Sequence, residues 1–591
     1  MWRIPRIITP ELPLLEQAKQ TRGLFALSSG NEPLPEPFSV PGIKEVSSAL
    51  LDAINKNKKI AVLGDYDCDG ICSTAILTVT LEMLGTDTLI RLPQRKEGYG
   101  IQPEQVKELA ERGADVIVTV DNGVAAFKAV SAAKEMGIDI LVTDHHEPKS
   151  SLPACLVANP KLPHNNNYRE YSGAGVAYFL ARALCKAAGK PEPTDLLDLV
   201  SLATIADVCP ITGPNFTMAR KGMLRIRENP RPGLRMLAIA AKTEVSQING
   251  YAMGWQLGPR INAAGRLGDP MLAYKLITTK DEQEAHQIAQ MLDKTNRERQ
   301  ELVKASYAEC MEQYDHSDFP VIITQYPHGI AGIVAGRVAQ TIKRPVIVGA
   351  YRDDGTTITT ASGRSVGEFN LLGALNKCHR ITGLPEKYGG HKQAAGLSIE
   401  PEDIPKIQPV LNQIAQSELK PEDMTEWVDI DGVIKRPLIF QEVEELDMLE
   451  PCGHENPAPV FAMSGPVEIL KTANTWKLLS MHGMKFFVSS SIEVAEGQTV
   501  NVAVTPRITY YQGTKQISAR VVDIKTTLIT RKMLVKAYQE WCRGKLLEKN
   551  TDIIETIFAE LGLKKKTQNH FTSLLSSETF REYGLKTRKR K

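Results

Sequence analysis

Three carboxylates crowd into the residues that directly follow a short apolar run. The run Ile60–Leu63 is typical of a buried strand, and Asp65, Asp67 and Asp69 come after it at alternate positions, just before Gly70. Like charges this close together repel one another unless a cation lies among them. The segment therefore predicts a divalent metal site at the end of a strand.

Two further apolar runs end in the same kind of residue. Residues 116–120 lead into Asp121, and residues 140–143 lead into Asp144, His145 and His146. In parallel sheets ligands gather at the carboxyl ends of the strands, so we expect these side chains to share one edge. Asp207, which follows an apolar helical pattern, is a candidate for an additional ligand.

Oxygen ligands with some imidazole suit Mn²⁺ or Mg²⁺ better than zinc. Hydrolysis of a phosphodiester benefits from two such ions about 3.5–4 Å apart. We therefore predict a two-ion centre in which one carboxylate bridges the ions and the protein ligands are Asp65, Asp67, Asp69, Asp121 and His145.

The acid-rich segment alone also fits a calcium loop or a solvated turn. An EF-hand would place a helix before the loop and a Glu at its twelfth position. Here a strand precedes the acids and the twelfth position is Ile76, so calcium buffering is disfavoured. A His-His pair is usually a surface or core feature, but its place after a strand and an Asp favours a ligand.

A chain of 591 residues is too long for one core and should divide into about three to four domains. Short apolar runs alternate with helical patterns from about 45 to 215, which predicts a parallel sheet covered by helices. A long polar helix is predicted over 281–314, followed by a smaller α/β lobe ending near 415. From about 425 to 525 short β runs predict a small antiparallel barrel.

Overall charge says little, because 71 basic and 69 acidic residues leave a net charge of +2. Any polyanion would have to be held by local patches. The last 61 residues carry fifteen Lys or Arg against seven Asp or Glu. That basic segment could bind DNA, dock a partner, or be a frayed, solvated tail.

The nine cysteines contain no CxxC pair, which favours reduced thiols. Neither a secretory leader nor an apolar stretch of about 18 residues is visible. We therefore expect a cytoplasmic protein that does not enter a membrane.

The motifs resemble a known superfamily. Four ordered segments are similar to the motifs of the DHH phosphoesterases, namely Asp65 to Gly70, Asp121-Asn122-Gly123, Asp144-His145-His146 and Ala206-Asp207. Further segments narrow the resemblance to the RecJ family of single-strand-specific exonucleases. They lie at 93–100, 258–266, 362–365 and 389–396.

The resemblance implies an α/β fold with a parallel-sheet DHH domain and a smaller α/β DHH-associated domain joined by a long helix. An OB-type β-barrel and a basic helical C-terminal region would follow. The expected divisions are an N-terminal segment 1–44, the catalytic domain 45–270, the connecting helix 271–317, the substrate-binding domain 318–420, the OB domain 421–528 and the basic region 529–591.

The resemblance also implies roles for the acidic residues. Asp67 and Asp121 would hold one ion, and Asp69, Asp121, His145 and Asp207 the other, so that Asp121 bridges them. Asp65 and His146 would be ligands or close support for the ligands.

A terminal 5′-phosphate pocket is implied as well, and arginines suit it because they grip phosphate bidentately. Its residues would be Arg95, Arg266, Ser362 and Arg364. Further DNA contacts are expected from Tyr99, Arg260, Gly389, Gly390 and His391, and from Tyr510, Tyr511 and Lys515 on the barrel. The chain departs from the family where His328 stands one position from the usual histidine, which leaves the role of that residue open.

The function implied is that of a 5′-to-3′ exonuclease that degrades single-stranded DNA to mononucleotides in repair and recombination. It would act as a monomer, with a single-strand-binding protein or a helicase as a further partner. Two other functions stay open: a DHH phosphodiesterase for short oligonucleotides or cyclic dinucleotides, and a non-catalytic single-strand-binding scaffold.

Overall fold

A computed structural model describes residues 2–5, 8–23, 30, 32–98, 100–163, 167–350, 359–511 and 514–526. The chain forms two compact units, each taken by itself below. The smaller contains Met1–Phe25, Trp427–Leu446 and Pro459–Lys591, and the larger contains Ala26–Glu426 and Asp447–Ala458. Tyr99 and the predicted basic region at 529–591 lie outside the described residues.

The smaller unit supplies the first two elements of the chain, which are strand β1 (Trp2–Arg3) and helix α1 (Leu14–Arg22). Gln17 of α1 is buried in this unit. Its side chain accepts a hydrogen bond from the backbone N–H of Val433 at 2.8 Å. That contact ties the helix to a strand more than four hundred residues further along the chain.

The larger unit is built on a five-stranded parallel sheet in the order β3-β2-β4-β5-β6. Alternate residues of its central strands face two different cores, with Val62 and Val118 on one side and Ala61 and Ile117 on the other. Burial on both faces explains why these strands are continuous apolar runs. The strands are β2 (Ile60–Leu63), β3 (Thr88–Arg91), β4 (Val116–Val120), β5 (Asp139–Thr143) and β6 (Leu156–Ala158).

Helices cover both faces of this sheet, as the alternating pattern predicted. The helices of the larger unit up to α12 are α2 (Ile43–Asn55), α3 (Cys68–Met83), α4 (Pro103–Glu111), α5 (Phe127–Glu135), α6 (Gly173–Ala187), α7 (Leu197–Ala206), α8 (Gly213–Glu228), α9 (Pro232–Ala240), α10 (Gly250–Ala252), α11 (Gly258–Leu267) and α12 (Pro270–Thr278). A π-turn, Met253–Leu257, joins α10 to α11.

The long polar helix expected over 281–314 is present as α13 (Glu282–Gln313). A second sheet of the larger unit follows, in the order β10-β11-β9-β8-β7, and only its β7–β8 pair is parallel. Its elements are β7 (Val321–Thr324), α14 (His328–Ile342), β8 (Val346–Ala350), β9 (Thr359–Arg364), α15 (Leu371–Thr382), β10 (Lys387–Gly390), β11 (Ala394–Ile399) and α16 (Ile404–Glu418).

The described part of the smaller unit continues with a two-residue strand that pairs with β1, one short helix and a seven-stranded sheet. These elements are β12 (Val428–Asp429), β13 (Gly432–Ile434), α17 (Phe440–Glu445), β14 (Phe461–Pro466), β15 (Glu468–Thr472), β16 (Trp476–Met481), β17 (Met484–Ser489), β18 (Thr499–Tyr511) and β19 (Thr514–Thr526).

The seven-stranded sheet is mainly antiparallel, in the order β13-β14-β18-β19-β17-β16-β15. The predicted antiparallel character of this region is confirmed, and two of its strand pairs, β13 with β14 and β17 with β19, are parallel. The exact domain divisions given above stay predictions. Within the described residues, helices are either too short or too polar to cross a lipid bilayer.

A buried ion pair anchors the helix that leads to Asp207. Asp198, in the first turn of α7, is fully buried, and both of its oxygens accept hydrogen bonds from Arg231 at 2.6 and 2.7 Å. Arg231 lies just before α9, so the pair joins the two helices. Charges out of water need this bidentate geometry to offset their loss of hydration.

Asp198→Ala leaves the Arg231 guanidinium buried without a counter-charge. We expect the free energy of unfolding to fall by about 3–5 kcal/mol, as measured by urea denaturation. Asp52→Ala is the matched control, because Asp52 and Lys56 form an exposed pair on α2 and its loss costs about 1 kcal/mol or less. Equal effects of the two variants would contradict the anchoring role of Asp198.

Candidate metal centre

The acid-rich loop lies between β2 and α3, where the strand ends and the helix begins. Asp67 caps α3, and one oxygen of its carboxylate accepts hydrogen bonds from the N–H groups of Asp69 and Gly70 at 3.0 Å. Asp65 is buried, and a Cβ at Gly70 would lie 2.6 Å from the Cβ of Asp65. Glycine at that position therefore lets the helix start close against the acids.

Asp69 is held by the first turn of another helix. Its two carboxylate oxygens accept hydrogen bonds from the backbone N–H groups of Gly173 and Ala174 at 2.7 Å, where α6 begins. Free N–H groups and the helix dipole both favour a negative charge there. Burial and the nearby acids Asp207 and Asp67 nevertheless raise the pKa of Asp69 well above its ordinary value.

Asp121 follows β4 in the left-handed backbone conformation, with φ of +57°. It is 2% exposed, and its Oδ1 is buried with no hydrogen-bond donor within the described part of the chain. A Cβ at Gly173 would lie 2.5 Å from that same oxygen, so the glycine makes room for it. An unpaired buried carboxylate oxygen is costly, which is the environment expected of a metal ligand.

His145 turns a lone pair toward this oxygen. Its Nδ1 lies 2.9 Å from the carbonyl oxygen of Tyr171, which can only accept, so Nδ1 carries the proton. Burial, with the neighbouring His146, lowers the pKa of His145 to about 3, and the ring is therefore neutral with a bare Nε2. A backbone carbonyl that fixes the tautomer in this way is typical of metal-bound histidines.

The bare nitrogen faces three carboxylates. Its distances are 3.1 Å to Oδ1 of Asp121 and 3.8 Å to an oxygen each of Asp69 and Asp207. A lone pair and several anions facing one another repel, and a cation between them removes the repulsion. The donor set of carboxylates and one imidazole fits Mn²⁺ or Mg²⁺.

Asp121 belongs to two separate groups of possible ligands. One contains Asp65, Asp67 and Asp121, and the other Asp121, His145 and His146, with the ligand atoms of each group within 4.8 Å of one another. The shared residue is the one predicted to bridge two ions. Burial and the charge of Asp67 raise the pKa of Asp65 to about 7.

Asp207 ends α7 and lies at the mouth of the site. Burial and the charge of Asp67 raise its pKa to about 6. The thiol of Cys209 donates to its Oδ2 at 3.2 Å, a contact that the sequence motifs did not reveal. A cleft of about 420 Å³ opens beside His145 and Asp207, and Lys161 and His454 also line it.

Asp144, the first residue of the Asp-His-His motif, supports the two histidines. One oxygen accepts from Nδ1 of His146 at 2.8 Å and from the N–H of His145 at 2.7 Å. Burial alone would raise the pKa of Asp144, but the hydrogen bond and charge of His146 outweigh it and lower the pKa to about 2. Burial alone would lower the pKa of His146. The hydrogen bond to Asp144 and the negative charge of Asp144 outweigh burial and raise the pKa of His146 to about 9.

Three of the predicted phosphate-binding arginines converge on the start of α14. Arg266 donates to the carbonyl of Gly329 at 2.9 Å, and a Cβ at Gly329 would lie 3.7 Å from Cδ of Arg95. A Cβ at Gly332 would lie 3.0 Å from both Arg364 and Ser362.

Among the described residues these guanidinium groups form no ion pair with a carboxylate. Burial and the charges of Arg95 and Arg299 lower the pKa of Arg266 to about 10. Arg95 stacks over the ring of Tyr66, 4.4 Å from its centroid, which sets the group beside the acid-rich loop. Uncompensated guanidinium groups at a helix N-terminus favour a bound phosphate.

The remaining predicted contacts are placed differently. Arg260 forms an ion pair with Asp293 at 2.9 Å, so its charge is already compensated. Gly389 and Gly390 pair with β11, and the N–H of exposed His391 donates to the carbonyl of Ala394 in a tight turn. The contacts of these residues with DNA stay predictions.

In the smaller unit, Tyr510 is exposed and Lys515 forms an ion pair with Glu444. The side chain of Tyr511, like the whole of Tyr99, lies outside what the structure describes. Their predicted contacts with DNA are untested.

Family models match three parts of the chain: the DHH family N-terminal domain at residues 59–204, the DHHA1 domain at 319–417 and the RecJ OB domain at 430–523. Together with the acid-lined edge of the parallel sheet, these matches define a DHH-family protein.

Relatives make the assignment narrower. The chain is 36% identical to the single-stranded-DNA-specific exonuclease RecJ of Bacillus subtilis over 433 residues, which cover 72% of this chain and 54% of that protein. It is 32% identical to the RecJ of Escherichia coli over 485 residues, covering 78% of this chain and 84% of that protein. The chain belongs to the RecJ family.

Solved structures agree with this. The crystal structure of Thermus thermophilus RecJ in complex with Mn²⁺ superposes with a TM-score of 0.78 at 29% identity, covering 89% of this chain and 79% of that one. The Mg²⁺ complex of the same protein superposes with a TM-score of 0.72 at 27% identity, covering 89% and 78%.

Gly173→Ala tests the packing that shapes the site. The new Cβ would collide with Asp121, so we expect affinity for Mn²⁺, measured by isothermal titration calorimetry, to fall about 10- to 100-fold. Gly336→Ala is the control, because Gly336 lies in α14 with nothing within 4 Å of a new Cβ. It should leave Mn²⁺ affinity unchanged, and unchanged affinity in Gly173→Ala would contradict the packing described here.

Asp65→Asn tests the charge crowding by pH. Because the pKa of Asp65 in the folded protein lies above its ordinary 3.8, its contribution to stability is present below about pH 4 and lost as the pH rises through about 7. In EDTA we therefore expect Asp65→Asn to raise the free energy of unfolding by about 2–4 kcal/mol near pH 8 and by less than about 1 kcal/mol near pH 4.5.

The measurement is urea denaturation at the two pH values. The Asn oxygen can still accept the hydrogen bond that Asp65 accepts from the N–H of Tyr66. A gain of equal size at both pH values would show that ionisation of Asp65 is not the cause.

Proposed function

We propose that this chain is a metal-dependent exonuclease that removes mononucleotides from the 5′ end of single-stranded DNA in repair and recombination. The observation that carries the proposal is the unpaired buried oxygen of Asp121, which faces the bare Nε2 of neutral His145 at 3.1 Å. Membership of the RecJ family and its named single-strand exonucleases supports it.

Two ions, Mn²⁺ or Mg²⁺, are proposed to share Asp121. Asp65 and Asp67 lie with it on one side, and the other side is formed by Asp69, His145 and Asp207. When bound, such ions lower the pKa of an attacking water and neutralise charge that develops on the phosphate oxygens.

The protein's own groups position these ligands and the substrate. The N-terminus of α6 orients Asp69, the carbonyl of Tyr171 fixes the tautomer of His145, and Asp144 holds His146 by its Nδ1. His146 is cationic at neutral pH and is therefore suited to donate a hydrogen bond to a phosphate oxygen.

The direction of cleavage is proposed to come from the arginine pocket. Arg95, Arg266 and Arg364 can bind a terminal phosphate with two negative charges more favourably than a phosphodiester with one. Arg95 stacks on Tyr66, which lies between two of the proposed ligands, so a terminal nucleotide held there would present its phosphodiester to the acids.

The cleft of about 420 Å³ beside His145 and Asp207 lies within the usual range of ligand pockets, roughly 300–1,000 Å³.

A single strand is favoured over a dinucleotide as the substrate because the chain carries a matched RecJ OB domain, a usual platform for strands. In keeping with a reducing compartment, disulfides are absent at seven cysteines that the structure describes, and we place the protein in the cytoplasm. They are Cys68, Cys72, Cys155, Cys185, Cys209, Cys310 and Cys378. A monomeric state and a single-strand-binding protein or helicase as partner stay predictions.

The test is digestion of 5′-labelled and 3′-labelled single-stranded DNA with Mn²⁺ or with EDTA. We expect immediate release of labelled mononucleotide from the 5′ end only, and in Mn²⁺ only. Asp121→Ala should abolish release while retaining binding of the strand, because it removes the shared ligand but none of the arginines. Asp52→Ala, an exposed acid on α2, should cleave like the unaltered protein.

Appreciable cleavage by Asp121→Ala would contradict the role of Asp121. Cleavage of a dinucleotide alone would move the protein to the small-substrate function, and binding without cleavage would make it a scaffold.

A further inference from the structure

Two large aromatic rings stand exposed on the larger unit. Tyr251 lies in α10 and Trp255 in the π-turn that follows, one helical turn apart. Trp255 is 73% exposed and Tyr251 is 52% exposed. Their rings stack with centroids 6.5 Å apart and an angle of 27° between their planes. We call this pair the aromatic platform. Tryptophan side chains are usually well buried. The large exposed area of Trp255 therefore indicates a surface that a binding partner covers.

The backbone beneath the platform is firmly held. The side chain of Asn249 accepts a hydrogen bond from the N–H of Ala252 at 3.0 Å, and the N–H of Gly250 donates to Glu450 at 2.9 Å. On the far side of the turn, Thr243 donates to the side chain of Gln256 at 2.7 Å. A platform that is rigid before binding loses little conformational entropy on binding.

The π-turn that carries Trp255 packs against the helix that leads to the metal centre. A Cβ at Gly254 would lie 3.3 Å from Ile205, and a Cβ at Gly258 would lie 3.0 Å from Ala206. These two residues form the last turn of α7, which ends directly at Asp207. The π-turn therefore packs against the helix end that delivers one of the proposed metal ligands, and π-turns within helices are frequent at functional sites.

The surroundings carry both charge and apolar surface. Exposed Lys242 lies in the loop that Thr243 fastens to the π-turn, and Ile239, just before it, is 54% exposed. Glu244 is exposed on the same loop. Proteins use exposed aromatic faces to bind single strands without sequence preference, because every base offers a π-face.

We propose that Tyr251 and Trp255 form a base-stacking subsite for single-stranded DNA beside the metal centre. The subsite rests on the proposed function and adds to it a place where an unpaired base is held against Trp255 while the phosphodiester lies at the acids. A duplex cannot offer a base face to such a platform without unstacking.

Binding of a single-stranded oligonucleotide of about 20 nucleotides to the full chain in EDTA tests the subsite, with fluorescence anisotropy as the readout. We expect Trp255→Ala to raise the dissociation constant at least about fivefold, which is the lower limit for losing one base–aromatic stack. Trp255→Phe should stay within about threefold of the unaltered protein because the ring is kept. Ile239→Ala, an exposed apolar neighbour without a ring, should bind like the unaltered protein.

The same oligonucleotide made abasic supplies a second readout that needs no variant to fold. The unaltered protein should bind the abasic strand more weakly than the normal strand, and Trp255→Ala should reduce this difference. Binding of the normal strand should also quench the tryptophan fluorescence of the unaltered protein more than that of Trp255→Ala.

Equal affinity of Trp255→Ala and the unaltered protein for the normal strand would overturn the subsite and leave a protein partner as the occupant of the platform. If the unaltered protein neither bound nor cleaved single-stranded DNA, the proposed function would fail as well. If Trp255→Ala bound and cleaved the strand like the unaltered protein, the subsite would be contradicted and the proposed function would stand.

Discussion

The structure of the site depends on one unfavourable contact, that between Oδ1 of Asp121 and the bare Nε2 of His145. The carbonyl of Tyr171 accepts a hydrogen bond from Nδ1 of His145, which carries the only N–H proton of the ring. Nε2 therefore cannot donate to Asp121, which it faces. Oδ1 of Asp121 finds no hydrogen-bond donor elsewhere in the described site, and both residues are buried. Only a cation between them turns this repulsion into attraction, and the remaining acids face the same point.

The fold makes this contact by close approach rather than by long side chains. Val120 of β4 pairs in register with Thr143 of β5, so Asp121 and Asp144 leave the sheet side by side. Gly173 and Gly70 then let α6 and α3 begin against the carboxylates, where a methyl group at either glycine would collide with an aspartate. The α6 N-terminus supplies the N–H groups that hold Asp69. Rigid elements thus supply both the ligands and their supports.

Much of this was predictable from the sequence, for a physical reason. Strands buried on both faces are apolar runs, and a run that stops at an acid marks a sheet edge and a ligand together, as Asp65 and Asp121 show. Individual side-chain contacts left no such signal, whether between distant residues or between close neighbours in the sequence. The pairing of Arg260 with Asp293, the hold of Asp144 on His146 and the thiol of Cys209 on Asp207 depend on side-chain directions that no local pattern encodes. The parallel strand pairs of the smaller unit were missed because periodicity does not encode strand partners.

Locating the bound ions would test the central claim most directly. Crystals of the protein soaked in Mn²⁺ would be measured near the manganese absorption edge, and an anomalous difference map calculated. The account predicts two peaks that share Asp121 as a ligand, with His145 bound to one of them through Nε2. A map with no peak at these acids, or with a single peak that does not contact Asp121, would contradict it.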